Sequence, residues 1–238
     1  MDMASGNVVI MGDGKCIEGT YNKVRIMGNG EVDGSIKCNK FSSAGSAEGN
    51  GSIQFCKCKT AGYFGFKGYL EGNELQIMGY GQVDGHIKVD TFRAYGMLNL
   101  TDTLQAETFI LRGGIEQAQA IHCEQIFIEL LGGCNVKEIG GGEIRIGKTV
   151  KIVESGLKNK FLSSVKIKVG DENSRLEAEV IEGDTIYVDT AKIGVVRGKH
   201  IEIGPKCEID KIEYSESLKI HESAKIGQQI QITTRRDR

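Results

Sequence analysis

Two segments 51 residues apart carry nearly the same words: Arg25-Ile-Met-Gly-Asn-Gly-Glu-Val-Asp-Gly-Ser-Ile-Lys37 and Gln76-Ile-Met-Gly-Tyr-Gly-Gln-Val-Asp-Gly-His-Ile-Lys88, identical at nine of thirteen positions. Because 51 is three times 17, the spacing implies a shorter unit of 17, with cuts at Val24, Phe41, Cys58, Leu75, Phe92, Phe109 and Ile126. Every cut falls on an apolar residue or cysteine. Four residues later stand Gly28, Gly45, Gly62, Gly79, Gly96 and Gly113, and twelve later Ile36, Ile53, Leu70, Ile87, Leu104 and Ile121. Two further on come Cys38, Phe55, Gly72, Val89, Ala106 and Cys123. A second glycine column, Gly34, Gly51, Gly68 and Gly85, lapses at Asp102, and the register is expected to slip at Leu130.

Within a unit, apolar-x-apolar pairs alternate with glycine corners, the period of two that marks short strands. One unit has too little apolar surface to form a core alone. Stacking units at about 4.8 Å pairs every strand in parallel and aligns like side chains into one interior. The expected fold is therefore an all-β parallel solenoid with coils of about 17 residues, three-sided because that length divides into three short strands and three corners. Its 33 glycines and one proline suit many corners and argue against a helical protein.

Residues 1–7 read as a short tail and 8–139 as the regular coils. From 140 to 232 the alternation persists with changed spelling, a less regular continuation of the solenoid or a second β domain, broken around Glu154 to Ser164 and Asp171 to Arg175. Thr233 to Arg238 reads as a polar tail.

The formal charge of −2 and the even spread of acids and bases give no footprint for nucleic acid. Seven cysteines, an odd number, and an opening without basic or apolar signal regions lead us to expect a cytoplasmic protein with reduced thiols. Contact with a membrane would be peripheral, since no apolar run is long enough to span a bilayer.

The pattern apolar-x-apolar-x-Gly-x-Gly-x-Val-Asp-Gly-x-Ile-Lys, clearest at Val24 to Lys37 and Leu75 to Lys88, resembles the bactofilins, polymer-forming cytoskeletal proteins of bacteria. The resemblance covers Val8 to Ile128, with similar segments near Ile203 and Ile212. It implies a right-handed three-sided β-helix that assembles end to end into filaments without nucleotide. The scaffolding roles it implies include cell shape, polar localisation and motility, and for Bacillus-type members flagellar assembly. The partners implied are further copies of the chain, a paralogous bactofilin, and a flagellar or membrane-associated complex; no cofactor and no small-molecule substrate are expected. The chain is longer than is usual for the family and lacks its Pro-rich tails.

Motifs with chemical overtones are assigned to architecture. Gly142-Glu-Ile-Arg-Ile-Gly147-Lys148-Thr149 matches the spelling of a phosphate-binding loop. Such a loop needs a flexible interior and a following helix, whereas Ile144 and Ile146 alternate and Val150 to Val153 reads as strand. Gly12-x-Gly14, Gly28-x-Gly30 and Gly79-x-Gly81 recur as corners do, and lack the third glycine and helix of a dinucleotide fold. Cys56-x-Cys58 has no second pair at zinc spacing, so shielded thiols are expected. His86, His122, His200 and His221 read as surface residues without recurrent carboxylate or serine partners. A pectate-lyase-like cleft would need carboxylates and bases concentrated in one coil, and none concentrates both. The alternative enzyme is a left-handed β-helix acyltransferase, on the hexapeptide-like Ile203 to Ile209 and Ile220 to Ile226; it accounts only for the end of the chain.

A solenoid ends in unpaired backbone groups, and an uncovered end is an edge on which another chain can pair. The expected polymerisation interface comprises Val8, Val9 and Ile10 at one end and Leu218, Ile220, Ile226, Ile230 and Ile232 at the other, with no capping helix read at either.

Overall fold

The computed structural model describes residues 6–152 and 174–232. Among these residues nine strands lie in one sheet in chain order, and every pairing between consecutive strands is parallel. They are β1 (Asn7–Gly49), β2 (Ile53–Phe66), β3 (Leu70–Val83), β4 (Ile87–Leu100), β5 (Thr103–Gly147), β6 (Leu176–Val188), β7 (Ala191–Ile203), β8 (Cys207–Ile220) and β9 (Lys225–Gln231). Among the described residues there is no helix. The chain is an all-β solenoid whose coil length is the repeat of the sequence, and the columns read from the sequence are its registers. Ile36 lies opposite Ile53, Ile53 opposite Leu70, and Leu70 opposite Ile87. β1 and β5 run through several coils without a break because their corners stay hydrogen-bonded to the coils beside them.

The glycine corners have a double cause. Gly28, Gly45, Gly62, Gly79 and Gly96 all have φ between 110° and 134°, where a side chain is strained. Each also sits against the carbonyl of the glycine one coil earlier; a Cβ on Gly28 would lie 2.5 Å from the Gly12 oxygen. The column is thus a stack in which every glycine excludes a side chain from the next.

Three inward pairs per coil fill the interior. In the coil from Leu70 they are Leu70 with the backbone of Gly72, Leu75 with Ile77, and Gly81 with Val83. The missing volume at Gly72 is taken by the Phe55 ring of the preceding coil, which a Cβ there would strike. Phe41, Phe64 and Phe66 are fully buried; Phe41 meets each of the other two edge to face at 6.2 Å, and Phe64 and Phe66 lie tilted at 4.6 Å. Burial of one such ring is worth about 3 kcal/mol.

The position of the register slip differs from the one expected. The irregularity begins at Glu116, before the expected slip at Leu130: Leu98 pairs with Ile115, but Asn99 pairs with Gln117. One extra residue bulges out after the second glycine column has lapsed. Beyond it, β5 pairs with β6 over a long stretch of sequence, Cys134 opposite Leu176 and Ile146 opposite Val188, so the sheet runs on, and the buried apolar residues on both sides of this pairing belong to one core cluster. Corners there turn on Thr190 (φ 55°) and Lys206 (φ 58°) where glycine served before, which is why the pattern was faint. The expected break at Glu154 to Ser164, most of that at Asp171 to Arg175, and the tail Thr233 to Arg238 lie outside the described residues.

Candidate assembly interface

The two ends of the solenoid divide the eight expected residues into two groups. Val8 and Ile10 point inward and pack on the core of the first coil; Ile10 is buried and Val8 half-buried. Leu218, Ile220 and Ile226 continue the inward columns of Ile201, Ile203 and Ile209 and are only partly covered, whereas those three predecessors are buried. Val9 is 56% exposed, and Ile230 and Ile232 are 40% and 43% exposed. Ile230 lies opposite Glu213, an outward position, so it belongs to the side wall of the last coil and not to the end of its core. Ala224 also packs on the terminal core, and Tyr21 on the first coil. Sequence reasoning missed both because they stand at corners, outside the apolar-x-apolar pairs.

The backbone at these ends is as telling as the side chains. β9 pairs with Glu208 to Tyr214 only, and Ile232 donates its N–H to the Tyr214 carbonyl at 2.7 Å. Among the described residues no strand lies beyond Ser217 to Ile220 or beyond β9 itself. At the opposite end the first coil is held from one side, by bonds such as Asn22 N–H to the Gly6 carbonyl at 2.8 Å. Among the described residues, both ends therefore combine a strand edge that no further coil pairs with and partly uncovered apolar columns.

A polar ladder climbs one corner. Asn39 donates to Asn22 at 3.1 Å and Asn22 to Asn7 at 3.3 Å; higher up Asn73 donates to Asp90 at 2.6 Å. Tyr63 and Tyr80 stack at 5.9 Å, as do Tyr69 and His86 at 5.3 Å. These side-chain stacks fix the register that the apolar columns set.

The Gly142 to Thr149 segment is strand and corner. Its amides are already occupied: the buried Asp189 accepts the N–H of Lys148 at 2.9 Å and of Thr149 at 3.0 Å, with the Thr190 hydroxyl at 2.8 Å. Gly147 is required because a Cβ would run into that carboxylate. A second buried acid, Glu129, holds the other side of the same turn, accepting from Arg112 Nε at 2.9 Å and Lys151 Nζ at 3.1 Å.

Six of the seven cysteines are buried. Burial pushes the thiols of Cys38, Cys123 and Cys134 up to about 12, and that of Cys207 to about 11. Cys56, expected to be shielded, is exposed, because it falls in the outward corner column of Asn39 and Asn73 while Cys58 falls in the inward column of Phe41 and Leu75.

The four histidines lie on the surface. Three of them have partners that sequence reasoning missed: His122 Nε2 lies 3.5 Å from Glu138, His221 Nδ1 2.9 Å from Ser223 Oγ, and His200 has two, Ser217 Oγ at 3.0 Å from Nδ1 and Glu216 at 3.3 Å from Nε2. Ser217 stands one coil away, a neighbour only in the folded register, and all three groups are open to water.

Carboxylates and bases, scattered along the sequence, do converge across coils. An open groove of about 870 Å³ is lined by Glu124, Glu138, Glu182, Asp184, Arg197 and Lys199 among others. Arg197 bridges Glu182 (2.9 Å) and Glu213 (2.7 Å), and Lys199 binds Asp184 at 2.9 Å. Lys211 and Arg197 hold the Glu213 carboxyl below the usual range. The cations of the groove are thus engaged by acids of neighbouring coils. Among the described residues no group of His, Cys, Asp and Glu is arranged to hold a metal ion, and no helix is long and apolar enough to cross a membrane.

Comparison with known proteins gives two partial likenesses. Uncharacterized protein YhbF of Bacillus subtilis (strain 168) is 38% identical over 80 residues, 34% of this chain and 27% of that protein. Uncharacterized protein YhbE of the same organism is 43% identical over 51 residues, 21% of this chain and 22% of that protein. The matches thus span about a quarter of the length of these curated relatives. No family model matches the chain, and no solved structure does so.

Proposed function

We propose that this protein is a structural element that polymerises end to end, without nucleotide, into filaments of continuous parallel sheet. The observation that carries the reading is the open edge at Ser217 to Ile220 and β9, where Leu218, Ile220 and Ile226 stand half-covered at the top of otherwise buried columns. A second copy laid on that edge would satisfy its peptide groups and complete the columns. Each apolar side chain that becomes fully buried contributes up to about 1.5–3 kcal/mol. The first coil, with Val8 and Ile10 on its core and Tyr21 beside them, offers the same chemistry at the other end. The resemblance of Val24 to Lys37 and Leu75 to Lys88 to bactofilins supports the same conclusion from the repeat itself.

On this reading the chain scaffolds a cytoplasmic assembly serving cell shape or motility, flagellar assembly included, with itself or a paralogous bactofilin as partner. The occupied amides of Lys148 and Thr149 support assembly that needs no nucleotide. Sedimentation velocity over a concentration series, with and without ATP or GTP, tests this. Large polymers whose amount is indifferent to nucleotide are expected; a monomer at all concentrations, or growth only with nucleotide, would refute the proposal.

A further inference from the structure

The chain spells Asn-Gly twice, at Asn29-Gly30 and at Asn50-Gly51. Asparagine before glycine can lose its side-chain ammonia without an enzyme, because no Cβ shields the next amide nitrogen and the backbone there turns freely. The two pairs look alike in sequence, and the fold separates them.

Asn29-Gly30 lies inside β1. Gly30 is buried in extended strand, and Asn29 Nδ2 donates to Asp13 Oδ1 at 2.9 Å. Turning the Gly30 nitrogen onto the Asn29 carboxamide would break strand pairing, and the amine that must depart is held by a carboxylate.

Asn50-Gly51 forms the bend between β1 and β2, and Asn50 is exposed. Among the described residues neither the Gly51 N–H nor Asn50 Nδ2 makes a hydrogen bond. The nucleophile is thus free of the ladder, and the leaving group is open to water. Asn50 Oδ1, by contrast, is fixed: it accepts the Gly34 N–H of the preceding coil at 3.0 Å. That oxygen takes up negative charge when its carbon is attacked, so a backbone donor held on it lowers the barrier as the donors of an oxyanion hole do.

We propose that Asn50 is a site of spontaneous deamidation created by this corner, and that the product loosens the glycine stack beside it. The Gly51 nitrogen forms a bond to Asn50 Cγ, the Cγ–Nδ2 bond breaks, and the Gly51 amide proton leaves with the amine as ammonia. Water then opens the succinimide at one carbonyl or the other, giving aspartate or isoaspartate; nothing is oxidised or reduced. Aspartate keeps an oxygen for the Gly34 N–H. Isoaspartate adds a methylene to the main chain where there is no room for one: even a Cβ on Gly51 would lie 2.2 Å from the carbonyl carbon and oxygen of Gly34. The bonds that close this corner come next in the chain, Ser52 N–H to Ser35 Oγ at 3.1 Å and Ile36 N–H to the Ser52 carbonyl at 2.9 Å. Each subunit would carry, on its side wall and apart from its ends, a corner that ages at a rate set by the fold.

Incubation of the full chain in mildly alkaline buffer, followed by tryptic digestion and mass spectrometry, tests the proposal, since Lys37 and Lys40 divide the two asparagines between separate peptides. The mass gain of replacing NH2 by OH should appear at Asn50 about tenfold faster than at Asn29, the factor in rate that one hydrogen bond held or released is worth. In concentrated urea the two rates should become equal. The melting temperature of the native protein should fall as isoaspartate accumulates. Asn50→Gln, whose longer side chain closes a six-membered ring far more slowly, should keep its mass and its melting temperature over the same period. Asn50→Asp, which retains the acceptor, should melt near the fresh parent. Equal rates in the folded protein, faster loss at Asn29, a ratio unchanged by urea, or an aged parent that melts as the fresh one does would overturn the proposal. So would Asn50→Asp melting as low as aged protein, which would assign the loss to charge and not to the lengthened main chain.

Discussion

The Asp189 carboxylate reaches across the register to accept the backbone N–H of Lys148 at 2.9 Å. The same carboxylate takes the Thr149 amide, so the two N–H groups that a phosphate would seek in this Gly-Lys-Thr spelling are bound within the fold. A sequence that looks like a nucleotide loop is a corner stapled by the next coil. Asp189→Ala would remove the acceptor shared by the Lys148 and Thr149 amides and the Thr190 hydroxyl, at a loss of about 2–4 kcal/mol. Thermal unfolding by circular dichroism should show the variant melting well below the parent. Isothermal titration of the parent with ATP should show no heat of binding; saturable binding lost in Lys148→Ala would contradict the assignment.

Backbone geometry predicts which glycines are replaceable. Gly79 has φ 119° and faces the Gly62 carbonyl, whereas a Cβ on Gly133 would meet nothing within 4 Å. Gly79→Ala combines a strained φ with a collision against backbone, so a loss of about 1–3 kcal/mol or more is expected. Gly133→Ala should change stability by less than about 1 kcal/mol. Paired urea titrations of the two variants check this, and equal midpoints would show that the column owes nothing to close packing.

Thiol chemistry separates the two cysteines of Cys56-x-Cys58. Cys56 is exposed and Cys58 buried, its thiol pushed up by loss of solvent. Native protein near pH 8 should react with a disulfide reagent at one thiol per chain, Cys56, and all seven should react on denaturation. The buried thiols also set a pH limit. Their folded values, about 12 for Cys38, Cys123 and Cys134, lie above the ordinary 9.0, so an unfolded chain releases these protons first. Their stabilising effect is complete below about 9 and is lost as pH rises from there toward 12. Urea midpoints should therefore fall over that alkaline range, less steeply in a Cys123→Ala variant.

The first half of the solenoid was readable because its corners use glycine, so chemistry and spacing repeat together from Gly28 to Gly113. The second half obeys the same inward alternation, yet Thr190 and Lys206 turn its corners and Asp189 takes up close space beside Gly147. Nothing local announces the pairing of Cys134 with Leu176, which are far apart in the chain. The ends were legible only as alternation that stops. Inward Ile226 and outward Ile230 look alike in sequence, and only their partners, Ile209 and Glu213, tell them apart.

Assembly through the ends is the central claim, and negative-stain electron microscopy of parent and end variants tests it most directly. Ile226→Arg and Val8→Arg place charge on half-covered terminal positions, where the remaining coils can fold without them. The account predicts long filaments of the parent without nucleotide, and folded monomers of the double variant with an unchanged far-ultraviolet spectrum. Filaments that persist in the double variant, or a parent that stays monomeric at high concentration, would contradict it.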